Sequence, residues 1–304
     1  KLARAQDLAE QPDAAIETFQ KAFQLLASGD AEDADDFEQA RERYSDHPPD
    51  AQIPAYMEHL VSEVFPADML GMYGYLLAQL EERFGTDTVR AFAQALALSR
   101  SGWREQGLGA MEKRLGGSWD DVVGANLRRA FRLHLIRHGD PPAWDFFHTI
   151  ARQAVLKRYP ASPDERQQQH ATIAAYLGGL PDDDPVAARE RMHHLIEADA
   201  IPAAAAFYAE LDSDHPAYAP ASESIAERVI EGEGADGDNP GIGLVQRLLD
   251  EAAQAPEEWL ELPNNLMFHV LERIQGNVPA STTRALMACI QQWYVDRQPQ
   301  DASD

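Results

Sequence analysis

The chain has 304 residues, which is enough for two domains of ordinary size. Apolar residues make up 44% of it, so a sizeable core can be buried and disorder throughout is excluded. Asp and Glu number 51 against 26 Lys and Arg, and the net charge of −25 disfavours nucleic acid and membrane surfaces as partners.

The cysteine content and hydropathy indicate the compartment. Cys289 is the one cysteine and cannot form an internal disulfide, which predicts a reducing environment and therefore a cytoplasmic protein. The sequence has no apolar run long enough to span a bilayer and no signal peptide at its start. Because the first residue is Lys1 and not Met, we expect the chain to be part of a longer polypeptide.

Helical periodicity dominates the first part of the chain, where apolar residues recur at steps of three and four. An amphipathic helix is predicted at 12–27, and the acidic segment 30–36 after it is interpreted as a solvated loop. The next predicted helices are 53–64, 69–84, 86–99 and 119–131.

One segment, 131–147, has the pattern of β-structure, because FRLHLIR and AWDFF flank the turn sequence HGDPP. A helix over 147–159 is predicted directly after it. The order helix, helix, hairpin, helix predicts a winged helix-turn-helix.

Paired helices with short loops follow and predict an α-solenoid, although no strict repeat period is visible. They are predicted at 163–177, 184–198, 201–211, 244–255, 257–275 and 279–295. The Gly-rich segment 232–243 is interpreted as a linker. It follows a helix and not a strand, and its carboxylates would repel a bound phosphate.

The predicted fold class is therefore all-α, a helical bundle and α-solenoid with a small β-hairpin wing in a winged-helix domain. Four parts are expected along the chain. They are a helical lead-in and acidic linker at 1–50, a helical domain at 51–85, a winged-helix domain at 86–180 and a TPR-like α-solenoid at 181–304.

No motif in the sequence supports a catalytic or metal site. His134 and His138 have the spacing of two metal ligands on a helix, but they fall on a predicted strand and its turn. His193 and His194 are adjacent and diverge on a predicted helix, with one facing the core, so structural roles are favoured for all four. GxSxG and GxxxxGK[ST] are both missing, so we expect neither a catalytic residue nor an enzyme.

Several degenerate motifs nevertheless occur in a distinctive order within 76–112 and 119–177. They are an SR-x-GL-like start, a tryptophan helix, a hairpin ending in F-x-H and an R-x-x-x-H-x-x-[IL]-A-x-[YF] helix. Their residues are Ser99, Arg100, Gly102, Trp119, Phe146, Phe147, His148, Arg166, His170, Ile173, Ala174 and Tyr176. A third stretch, 192–211, is similar to an HL-x-x-A helix that begins superhelical repeats. Together the stretches resemble the segment after the nucleotide-binding core in STAND NTPases of the NACHT type.

The resemblance implies a regulatory and sensor role. In that family the winged helix folds back on the nucleotide, and one of its histidines reaches the ADP phosphates in the closed state. Exchange of ADP for ATP removes this contact, and the protein oligomerises. The matching position is His148, whose alternative roles are to cap the following helix or to pack under the wing.

The implied partners are the nucleotide-binding core of the same polypeptide, a protein ligand on the solenoid and further copies of the chain on activation. ADP or ATP would be bound by the parent protein and no cofactor by this chain, which lacks the ATPase core. The sequence departs from the family pattern at Gly107, where a helix former is usual, so we expect the second helix of the winged domain to be distorted.

Two other functions stay open. A free-standing TPR-like scaffold would use Ala-rich helix pairs such as 187–209 as a concave protein-binding surface. A winged-helix DNA-binding regulator would use a recognition helix at 120–131 with the basic residues Arg128, Arg129 and Arg132 nearby. The two aspartates that begin this helix and the net charge of −25 weaken phosphate attraction and disfavour DNA.

Overall fold

The computed structural model describes residues 68–139, 142–232, 239–254 and 261–297. The chain divides into two compact units, 1–76 and 77–304, and all contacts described below lie within the second. The predicted helices at 12–27 and 53–64 and the acidic loop at 30–36 lie outside the described residues.

Helices form most of the described ranges, and the strands there form one two-stranded antiparallel sheet, so the predicted fold class is confirmed. The helices of the first half are α1 (Met69–Phe84), α2 (Thr86–Leu98), α3 (Glu105–Arg114), α4 (Asp121–Ala130) and α5 (Thr149–Arg158). The strands are β1 (Leu135–His138) and β2 (Ala143–Phe146). The helices of the second half are α6 (Pro163–Leu177), α7 (Pro185–Glu197), α8 (Ile201–Ala209), α9 (Tyr218–Glu231), α10 (Pro240–Gln254), α11 (Glu261–Asn265), α12 (Leu271–Ile274) and α13 (Ala280–Arg297). A π-helical turn, Leu266–Val270, joins α11 to α12 and interrupts the helix predicted at 257–275.

Helices α2 to α5 and the hairpin have the element order of a winged helix. β1 and β2 pair with Leu135 opposite Phe146. A backbone bridge between Trp103 and Trp144 attaches the loop before α3 to the edge of the hairpin. Strand β2 also packs against α2 and α5, and α3 packs against α2. The loop, the hairpin and these three helices therefore enclose one core.

Aromatic side chains fill this core around α2. Phe92 stacks on Phe131 with ring centroids 5.6 Å apart, and Phe131 meets Phe146 edge-on at 6.2 Å. Trp103 is completely buried, and its indole N–H donates to the carbonyl of Ala95 over 2.8 Å. Because the polar atom of this large side chain has a partner, its burial carries no desolvation penalty.

Helix α3 is continuous, and the distortion expected from its glycines is not observed. A Cβ at Gly107 would lie 3.2 Å from the Trp103 ring, and one at Gly109 would lie 2.7 Å from Nε1 of Trp119. The glycines therefore allow two tryptophans to approach the helix closely, and this packing offsets their low helix propensity.

The helices after the winged helix stack on one another in succession, in agreement with the predicted α-solenoid. α6 packs against α7, α7 against α9, and α8 and α9 against α10. One cluster of buried apolar side chains extends through them from Ala174 to Trp293. Because α6 belongs to this stack, the helices begin to pair before the domain boundary predicted at residue 180.

Helix α10 begins at Pro240, so the last four residues of the predicted linker 232–243 are helical. Asn239 positions this start, since its side-chain oxygen accepts from the backbone N–H of Gly241 over 2.8 Å. A Cβ at Gly241 would lie 2.4 Å from the backbone of Val229, so this glycine fits the close approach of α10 to α9. The linker prediction failed here because the contact that requires glycine is tertiary.

A charged contact joins the end of α1 to the end of α5. The guanidinium of Arg158 donates to the carboxylate of Glu81 over 2.7 Å, and the hydroxyl of Tyr159 donates to the same carboxylate. The hydrogen bonds from Arg158 hold the pKa of Glu81 below its usual value, since they favour the ionised form.

Among the described helices, none is both long enough and apolar enough to cross a membrane.

We expect Gly102→Ala to destabilise the protein strongly. Gly102 has φ +77°, and a Cβ there would lie 2.2 Å from the carbonyl oxygen of Trp144. The backbone conformation costs about 1–2 kcal/mol and the overlap adds about 1–3 kcal/mol. Urea unfolding measures the loss. Gly116→Ala is the control, because Gly116 has φ +94° with no atom within 4 Å of the added Cβ. Equal losses in the two variants would contradict the role of the Trp144 contact.

Glu81→Gln should lower the free energy of unfolding at pH 7 by about 1–2 kcal/mol, because an ionised partner of Arg158 is lost. The folded-state pKa of Glu81 lies below its unfolded value. Its contribution is therefore complete above the unfolded pKa and disappears as the pH falls through the folded pKa. The difference between wild type and variant should stay constant from pH 7 down to the unfolded pKa of Glu, about 4.3, and shrink as the pH falls further. Exposed Glu82, changed to Gln, is the control, and a pH-independent difference would contradict this account.

Candidate functional site

The candidate site is built around a buried carboxylate on α7. Glu190 is completely buried and accepts hydrogen bonds from the backbone N–H groups of Arg100 and Ser101 and from the Ser101 hydroxyl. The two bonds from the Arg100 amide measure 2.9 and 3.0 Å. The donors belong to the loop between α2 and α3, so one side chain of the helical stack holds a loop of the winged helix.

Local sequence shapes this loop to meet the carboxylate. Ser99 ends α2, and its hydroxyl accepts from the backbone N–H of Gly102 over 2.6 Å. The positive φ of Gly102 turns the chain back towards the hairpin. Arg152 of α5 holds the loop from the opposite side by donating to the carbonyls of Leu96 and Ser99. The N–H groups at 100 and 101 are thereby left directed at α7.

Two histidines extend the network away from the loop. His194 lies one helical turn after Glu190, with Nε2 3.2 Å from the carboxylate. Its Nδ1 lies 2.8 Å from Nδ1 of His170 on α6. In the neutral tautomer of His194 that donates its Nε2–H to the carboxylate, Nδ1 is an acceptor and His170 Nδ1 carries the donated proton. Loop, carboxylate and two imidazoles thus form one buried chain of hydrogen bonds.

A third histidine completes what we call the Glu190 cluster, defined as Arg100, Ser101, Glu190, His170, His193 and His194. His193 is partly exposed, and its ring centroid lies 5.7 Å from that of His170 and 5.1 Å from that of His194. The sequence prediction that one of the adjacent histidines faces the core is confirmed, because His194 is completely buried.

The cluster has defined protonation states. Burial is the main cause that lowers the pKa of His170 and of His193 to about 3, so both rings are neutral at pH 7. Burial alone would raise the pKa of Glu190, but the hydrogen bonds from His194, Ser101 and Arg100 outweigh it and lower that pKa to about 2. The carboxylate is therefore ionised.

Side-chain contacts reinforce the junction between the winged helix and the helical stack. The guanidinium of Arg100 donates to the Ser224 hydroxyl over 2.9 Å and to Glu227 over 2.6 Å, and both acceptors lie on α9. Arg104, which precedes α3, pairs with buried Asp184, which caps α7. The loop 99–104 is consequently bound to the first helices of the stack by both its backbone and its side chains.

His148 lies at a different place, at the N-cap position of α5. Its side chain makes no capping hydrogen bond, its burial is partial, and its ring lies edge-on to exposed Phe147 at 4.4 Å. One alternative role for His148, that its side chain caps the following helix, is therefore not observed.

Burial lowers the pKa of His134, and the nearby His148 lowers it further.

His134 lies in the turn before β1 and not on the strand where it was predicted, and His138 is the last residue of β1 and not part of the turn. Nε2 of His138 lies 3.7 Å from the Asp145 carboxylate. The contact between His170 and His194 was not predicted from the sequence. The two are 24 residues apart, and their contact depends on the register between α6 and α7. A short loop between two helices predicts that they are neighbours but does not predict which turns face each other.

No protein-family model, no curated protein and no solved structure matches this chain.

Glu190→Gln should destabilise the protein by about 2–4 kcal/mol, because buried donors lose an ionised acceptor. Hydrogen exchange should show faster exchange of the amides of Arg100 and Ser101 than of the rest of the winged helix. Glu223→Gln, on the exposed side of α9, is the matched control. If the amides of Arg100 and Ser101 remain as protected as in the wild type, Glu190 does not hold the loop.

Proposed function

We propose that this chain is the regulatory and sensor part of a STAND NTPase, in which the winged helix holds a nucleotide-binding core closed and the helical stack senses a ligand. The observation that carries the proposal is the composition of the Glu190 cluster. Arg100 belongs to the SR-x-GL-like motif, His170 to the R-x-x-x-H motif and His194 to the HL-x-x-A motif. Residues from three separated motifs meet in one hydrogen-bonded chain.

The polar character of the junction suits a switch. The stack is held together by a continuous apolar core, whereas ionised groups and hydrogen bonds join Arg100, Ser101 and Arg104 of the loop to α7 and α9. Such a contact is specific in geometry, and once opened its groups can be solvated by water, so two discrete arrangements are accessible. A ligand that shifts α7 relative to α9 would act on Arg100 from both sides and release the winged helix.

His148 would contribute the contact to nucleotide in the parent protein. Its imidazole is partly exposed beside exposed Phe147 and is not used to cap α5. An imidazole N–H can donate to a phosphate oxygen of ADP, and its loss on exchange for ATP would bias the hinge. The protein ligand would bind the helical stack, and released copies would associate.

The other two functions gain less support. Arg128 lies on α4, the helix that would enter the DNA groove. Its side chain is only 12% exposed, pairs with Glu105 and lies over the Trp119 ring, so it is not available to a DNA phosphate. For the scaffold, alanines of the segment 187–209 such as Ala204 and Ala205 are completely buried. They let helices approach closely and do not form a concave binding surface.

The test uses the whole polypeptide encoded by the gene, including the coding sequence upstream of Lys1. We expect that sequence to encode GxxxxGK[ST] after a predicted strand, and the purified protein to retain ADP. His148→Ala should lower the affinity for ADP about tenfold or more, since one charge-assisted hydrogen bond is lost, and should shift the protein towards an oligomer.

His138→Ala on the wing is the matched control and should retain ADP, because His138 lies at the exposed end of β1. Nucleotide content is measured after denaturation, and oligomeric state by light scattering. A reading frame that begins close to Lys1 without a phosphate loop would contradict the proposal and favour the scaffold. Retention of ADP by the His148 variant would contradict the assigned role of that residue.

A further inference from the structure

The Glu190 cluster contains three imidazoles that the proposed switch does not use as a group. One ring nitrogen from each of His170, His193 and His194 lies within 4.8 Å of those of the other two. His170 comes from α6 and the other two from α7, so the three rings converge at the contact between two packed helices.

The ring nitrogens lie near the separations of a divalent-cation site, and the largest separation, at most 4.8 Å, must shorten by up to about 1.5 Å. Two imidazole nitrogens on a tetrahedral Zn²⁺ are about 3.3 Å apart, given Zn–N bonds of about 2.0–2.1 Å. The Nδ1 atoms of His170 and His194 are 2.8 Å apart and share a hydrogen bond. Insertion of an ion would separate them by about half an ångström, a change that rotation of two rings can supply. The shared proton would move to Nε2 of His170 without a net change in charge.

The surroundings prepare the rings as ligands. Glu190 accepts from Nε2–H of His194, which fixes the ring and leaves Nδ1 with its lone pair towards His170. A carboxylate behind a metal-bound histidine is the usual second layer of a zinc site.

The nearby charges permit a cation. Arg166 and Arg228 face His170, and Arg100 faces His193. Arg100 is paired with Glu227 and Arg228 with Glu197, and the Glu190 carboxylate adds a negative charge within the cluster. Partly exposed His193 places the imidazoles next to solvent, which can supply water as the fourth ligand.

We infer that His170, His193 and His194 form a binding site for Zn²⁺ that joins α6 to α7, with Glu190 orienting His194. The site would fix α6 to α7, the helix whose Glu190 holds the loop 99–104. The inference depends on the three imidazoles alone and does not require the chain to belong to an NTPase.

The test is titration of the metal-free full chain with Co²⁺ as a spectroscopic substitute for Zn²⁺. We expect the intense visible bands of a tetrahedral Co²⁺ site at one equivalent, and their removal by Zn²⁺. In a thermal melt, Zn²⁺ at about 100 times its dissociation constant should raise Tm by about 5–10 °C relative to the protein with chelator. Wild-type protein without these bands, or with a Tm that Zn²⁺ does not raise, would overturn the inference.

Variants locate the site. His193→Ala removes a partly exposed ligand, so the fold should survive and the bands should be lost. His170→Gln should also abolish them, while His138→Ala on the wing should leave them unchanged. Persistence of the bands in His193→Ala would place the metal elsewhere and overturn the assignment. A charge-transfer band from thiolate to Co²⁺ would do the same, because it would indicate Cys289.

Discussion

The ionised carboxylate of Glu190 is the interaction on which the arrangement of the described chain depends. It is completely buried, and it satisfies two backbone amides and a hydroxyl of the winged-helix loop together with an imidazole of its own helix. An unpaired charge at this depth would cost several kcal/mol, so the loop must adopt the one conformation that directs its N–H groups at α7. The orientation of the winged helix on the helical stack follows from that requirement.

Two kinds of packing meet at this junction. The helical stack and the winged helix each have an apolar core that tolerates small movements of its side chains. Between them, Arg100 and Glu190 form directional contacts that either exist or are replaced by water. This difference supports the proposed switch. A ligand that breaks one of these directional contacts allows water to replace it completely, so the junction has an open and a closed state. A Zn²⁺ ion bound between α6 and α7 would act on the Glu190–Arg100 contact through His194, which is hydrogen-bonded to Glu190.

Local signals predicted the helices well, because amphipathic periodicity and capping act within a few residues. The predicted bounds 69–84 and 163–177 agree with α1 and α6, and Ser162 and Glu165 form a capping box at the start of α6. The prediction of local structure was wrong where a glycine is required by a tertiary contact. Gly107 and Gly241 suggested distortion and linker, but each lies where a ring or a backbone approaches a helix. Such an approach has no signature in the local sequence.

The amino-acid sequence by itself determined most of the helices and the hairpin, since hydrophobic period, caps and turn residues are local properties. It also predicted that one of His193 and His194 faces the core, because adjacent residues on a helix diverge, and the structure shows that it is His194. Only the tertiary structure decided that Arg100, His170 and Glu190 belong to one cluster. These residues lie on three elements, and the register between packed helices is set by side chains interlocking along the whole contact. The site is therefore a property of the packing and not of any single motif.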